Sequence, residues 1–146
     1  MRYTFLFSIC LLLLFASCKK DKFATTPSLK FKSVNTTELH RQELLKFTLS
    51  FTDAEGDLTD NVFVQKIVPG CVNSNFEQLY PLPPFPTTKD QKGDLIITFG
   101  YNVTGYTDVL AAQCLKNDTA VFRFVLRDKA QHASDTVSSP QVTFVY

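Results

Sequence analysis

Along residues 45–52, apolar and polar side chains alternate without a break. Leu45, Phe47, Leu49 and Phe51 fall on one side, and Lys46, Thr48, Ser50 and Thr52 on the other. A period of two is the mark of a strand with one buried face and one wet face. The same period predicts strands over 29–32, 62–68 and 94–103, the last with Leu95, Ile97, Phe99, Tyr101 and Val103 on one face. It predicts two more. One covers 119–127, with Phe122, Phe124 and Leu126 inward and Arg123 and Arg127 outward; the other covers 141–146, with Val142, Phe144 and Tyr146 inward. Lys30 and Lys32 mark the first run as a sheet edge, where charge blocks pairing with other chains. Residues 35–38 and 128–134 read as turns, and 109–112 fit a short strand or one helical turn equally well. Residues 71–93 read as an irregular loop, because Pro81, Pro83, Pro84 and Pro86 exclude a central strand and favour extended backbone. No stretch of helical length carries a 3.6-residue period.

These elements predict an all-β fold: an immunoglobulin-like β-sandwich of about seven strands, preceded by an N-terminal lipoprotein signal peptide. The 146 residues suffice for one domain with a true core. The 14 Phe and absence of Trp leave the antibody-type buried Trp unfilled, so the expectation is the broader architecture. The topology also makes a testable statement about cysteines. In such a sandwich the strands at 62–68 and 119–127 are antiparallel neighbours. Cys71 follows the first and Cys114 precedes the second, so the fold brings them together. A disulfide is expected there, worth roughly 3–5 kcal/mol in the chain-entropy account.

The N-terminus reads as an address. Arg2 supplies a positive start, residues 4–15 are apolar, and Ala16 and Ser17 are small. That run is too short to span a bilayer, which needs about 20 apolar residues, and matches a secretory signal. Phe15-Ala16-Ser17-Cys18 resembles the lipobox of bacterial lipoproteins. The resemblance implies that Cys18 is lipidated (palmitate among its acyl chains) and becomes the mature N-terminus. The expected division is a signal peptide at 1–17, a lipidated tether at 18–28 and the sandwich at 29–146. The expected location is the outer membrane, on its periplasmic or cell-surface side, with the membrane as partner.

Asp53-Ala54-Glu55-Gly56-Asp57-Leu58-Thr59-Asp60 closes the strand at 44–52. The sandwich topology sets it beside the turn beginning at Asp128. Asp53, Glu55, Asp57 and Asp128 form the kind of oxygen-rich set that calcium takes. The same residues also serve ordinary turns, since Asp bonds its own backbone and Gly accepts positive φ. Both readings stand at this point. Ser50-Phe51-Thr52-Asp53-Ala54-Glu55-Gly56-Asp57-Leu58 resembles the "FTDxDGDLG" stretch of small uncharacterised Gram-negative lipoproteins. Residues 118–137 resemble their closing pair of strands, with Gln131-His132 where those read Gly-Asn. The resemblance also extends to cadherin-like modules. It implies a tethered immunoglobulin-like sandwich and no known activity.

Function follows largely by exclusion. A net charge of +1 offers no field for nucleic acid. There is no nucleophile elbow, zinc-protease motif or phosphate loop. His40 and His132 read as exposed and unpaired. The expectation is a non-catalytic, membrane-anchored binding module for a protein or glycan, using the Pro-rich segment or the acidic pole. The alternative is a scaffold subunit of an envelope complex, contacted through sheet edges.

Overall fold

The computed structural model describes residues 25–109 and 114–146. The expected signal peptide, Cys18 and most of the expected tether lie outside the described residues. Strands are β1 (Ser28–Val34), β2 (Glu38–Leu39), β3 (Leu44–Asp53), β4 (Leu58–Ile67), β5 (Phe76–Pro81), β6 (Gln91–Gly100), β7 (Asp118–Asp128), β8 (Val137–Ser138) and β9 (Val142–Phe144). One sheet has the order β1-β3-β6. The other runs β2-β9-β7-β4-β5, with β8 also beside β7. Every pairing is antiparallel except β2 with β9. β1 is an edge of the first sheet, and β4, β7 and β9 form the central trio of the second. This is an immunoglobulin-like β-sandwich.

Alternation places the core. Leu45, Phe47, Leu49 and Phe51 of β3 and Ala120, Phe122, Phe124 and Leu126 of β7 are all buried. Phe rings do the work that a Trp does in antibody domains. Phe47 lies 4.7 Å from Phe122 and 5.2 Å from Phe124, and Phe99 lies 5.9 Å from Phe122. These contacts cross between the sheets. Each such pair adds about 0.5–1.5 kcal/mol beyond the area it buries.

The structure corrects four expectations. The Pro-rich stretch is not wholly irregular: Phe76–Pro81 pairs with β4 as an edge strand, where proline is tolerated. β6 starts earlier and stops at Gly100, because Asn102 (φ 55°) and Gly105 (φ 87°) fold the chain back. Thr107 then bonds Gly100 where a further strand residue would. The turn at 35–38 ends in β2, whose Leu39 is buried. The last strand is only three residues long, and Tyr146 points outward beneath the Arg41 guanidinium, 5.4 Å from its ring.

Cys71 and Cys114 form a disulfide, with Cα atoms 5.9 Å apart. It joins the segment after β4 to the segment before β7 within one sheet, unlike the inter-sheet bridge of antibody domains. At the open side of the sandwich, Tyr80 of β5 reaches across to β6. Its hydroxyl accepts from the Thr98 N–H (3.3 Å) and donates to the Thr98 carbonyl (3.2 Å). Those are outward groups of an edge strand, so the tyrosine blunts that edge.

Candidate functional site

The sandwich has two poles with different chemistry. At one, the β3–β4 turn (54–57) meets the β7–β8 segment (129–136). The Lys129 N–H donates to the Asp57 carbonyl at 2.9 Å, and Thr59 Oγ1 donates to the Arg127 carbonyl at 2.9 Å. Oxygens of Glu55, Asp57 and Asp128 come within 4.8 Å of one another. The two turns therefore converge as the topology predicts.

Asp53 stands apart from that trio. It is buried, and its Oδ2 accepts the Asp57 N–H at 3.0 Å, which holds the turn closed. Asp128 is fully buried. Its Oδ1 accepts the His132 N–H at 2.8 Å, and its Oδ2 lies 2.7 Å from His132 Nδ1. His132 is thus paired, contrary to the sequence expectation, because the turn after β7 coils back on its own first residue. His40 is paired as well: its Nε2 lies 3.3 Å from Glu38 Oε1. The Asp128/His132 pair has only one cue in the sequence, a four-residue spacing inside a turn.

The Pro-rich loop braces this pole. The Asp90 N–H donates to the Ala54 carbonyl at 3.0 Å, and Phe85 packs edge-on to Phe51 at 5.4 Å. Gly56 has φ of +68°, and a Cβ there would overlap the Thr88 carbonyl. The loop is a buttress, with Leu82 buried beneath it.

Chemically, the pole offers hard oxygen donors. Asp53 Oδ1 and Asp57 Oδ1 are buried atoms without a hydrogen-bond partner. Buried acceptors are ordinarily satisfied, so this leaves unused acceptor capacity at the turn. The donor set fits a calcium-type cation better than a soft metal. The described residues bring no nucleophile and base together here.

The chain enters the body at this same pole, since Ser28 pairs with Thr52. Thr26 to Leu29 lie along a shallow cleft that Ala133 and Asp135 complete. The opposite pole carries the disulfide. Four of the large apolar side chains that stand exposed belong there: Val72 (70% exposed), Leu115 (73%), Tyr106 (48%) and Tyr146 (52%). Val72 and Leu115 each follow a cysteine of the bridge, so the bridge holds their backbones near one another. Among the described residues, no helix is long and apolar enough to cross a membrane.

The chain matches no protein-family model and no curated protein. It is similar in structure to the sporulation control protein of Bacillus subtilis, with 6% identity over 84% of this chain and a TM-score of 0.47. The similarity spans 51% of that protein's length. It is also similar to a PKD domain of an M14-like peptidase from a Thermoplasmatales archaeon. There identity is 16%, coverage 83% of this chain and 94% of that one, and the TM-score 0.40. A third neighbour is a Niemann-Pick type C2 protein from the Japanese carpenter ant. Identity is 12%, coverage 84% and 97%, and the TM-score 0.45.

Proposed function

We propose that this chain is a non-catalytic lipoprotein, anchored through Cys18 to the outer membrane, whose disulfide pole binds a protein or glycan of the envelope. One observation carries the reading. The tether enters at the acidic pole, and exposed Val72, Leu115, Tyr106 and Tyr146 stand at the other. An anchored domain turns the end remote from its tether toward partners. Aromatic and aliphatic side chains on loops of a rigid sandwich are the usual material of binding sites. This moves the candidate surface away from the acidic pole and the Pro-rich loop, which brace one another. A photoreactive residue in place of Leu115, in cells making the full chain, is expected to trap a specific adduct. One in place of Thr88, at the acidic pole, is expected to trap none. Adducts from position 88 alone would refute the assignment.

Calcium at Glu55, Asp57 and Asp128 is a second reading, supported by the unpartnered oxygens of Asp53 and Asp57. An ion there would stabilise the fold by mass action, by about 2.7 kcal/mol at a hundred times its Kd. The melting temperature of the full chain is expected to rise by several degrees with millimolar calcium and to fall back with chelator. An identical midpoint in both would remove the ion from the account.

A further inference from the structure

The outer faces of the two sheets differ. The β3 face outside the core is Lys46, Thr48, Ser50 and Thr52, a wet surface on which Ile96 of β6, beside Thr48, stands as an isolated exposed apolar side chain. The second sheet does not follow that rule. Ile67 and Phe63 of β4, Val121 and Val125 of β7 and Leu79 of β5 alternate with core residues and therefore face outward. Leu79 is 63% exposed. The outward positions of β4 and β7 thus mix four apolar side chains, Phe63, Ile67, Val121 and Val125, with the polar Thr59, Asn61, Gln65, Thr119, Arg123 and Arg127. Nothing within the described chain covers this face.

The register orders the face into cross-strand rows. Leu79, Phe63 and Val125 form one row, and Ile67 and Val121 form another. Between them lies the row Glu77, Gln65, Arg123. An acid on β5 and a base on β7 thus flank a neutral amide on β4. Gln65 Nε2 donates to Glu77 Oε1 at 2.5 Å, which holds the acid in the row.

We propose that this face pairs with the same face of a second copy, about a two-fold axis running along β4. Such an axis lays β5 of one copy over β7 of the other. Each Glu77 then faces the partner copy's Arg123, the two Gln65 side chains face each other, and Leu79 meets Val125 of the other copy. The charge pattern is self-complementary for this operator, as an isologous interface requires. The axis also keeps the strands of both copies pointing the same way. Both tethers then leave toward one membrane, and this part of the proposal rests on the anchoring read above. The face measures roughly 15 Å by 20 Å from strand spacing and rise. That is below the ~800 Å² per partner of a stable soluble dimer. Tethering in one membrane supplies the missing effective concentration.

The test uses the full lipidated chain in membranes with a thiol cross-linker spanning ~10 Å, the usual gap between packed sheets. Gln65→Cys is expected to give a covalent dimer, and Thr48→Cys, on the opposite outer face, is expected to give none. In the Gln65→Cys background, Glu77→Arg or Arg123→Glu alone is expected to cut the yield about tenfold, and the two together to restore it. Equal yields from positions 65 and 48, or a yield indifferent to the charge exchanges, would overturn the dimer. Fractionation of the same samples separates the two claims. A chain that stays soluble faults the anchor, and the charge-exchange pattern at high protein concentration still decides the face.

Discussion

Lys66 takes an ammonium into a core of Phe rings. Its side chain is fully buried, its Nζ donates to the Val109 carbonyl at 3.0 Å, and it sits 4.5 Å from the Phe144 centroid. Burial lowers its pKa from 10.5 to about 8, partly opposed by the carboxylates of Asp118 and Asp108. Below pH 8 the folded and unfolded chains both hold this proton, and above about 10.5 neither does. In between, the unfolded chain binds the proton that the folded chain has released, so stability rises with pH across that window. The rise is roughly 3 kcal/mol for a shift of this size. Urea midpoints at pH 8 and pH 10 are expected to separate for the natural chain and to draw together in Lys66→Met. A pH response unchanged by that substitution would show that Lys66 is not its source.

Among the elements, the β3–β4 turn and the Pro-rich loop form one unit, and Gly56 is its tightest point. Gly56→Ala adds left-handed strain and an overlap with the Thr88 carbonyl, for an expected loss of at least about 2 kcal/mol. Gly105 also has positive φ (87°), but open space around it, so Gly105→Ala is expected to cost only about 1 kcal/mol. Equal losses in denaturant melts would contradict the buttress. The alternation at 45–52 and 119–127 marked β3 and β7 with the correct inward residues, because one buried face imposes a period of two. β5 stayed hidden, since Pro81 ends it and only one side of it is paired. β2 was too short to carry a period. The convergence of Glu55, Asp57 and Asp128 followed from topology. The inward direction of Asp53 continues the β3 period of two, but its bond to the Asp57 N–H and the His132 contact left no periodic trace, because they depend on how a turn folds.

For the whole molecule, the bridge from Cys71 to Cys114 closes a segment of 43 residues, worth about 4 kcal/mol by loop entropy. It fastens the pole that carries Val72 and Leu115, while residues 25–28 meet the body at the other. β3 alone, ten residues long, sets the poles roughly 30 Å apart. Under the anchoring proposed at Cys18, a random coil of about ten residues would have an end-to-end distance of about 18 Å, too short to average the two ends. The most direct check of this orientation is energy transfer from a dye on the full lipidated chain to acceptor-labelled lipid headgroups. The dye is placed at Thr88→Cys in one sample and at Val72→Cys in the other. Clearly stronger transfer is expected from position 88 than from position 72. Equal transfer, stronger transfer from 72, or none from either site would contradict it.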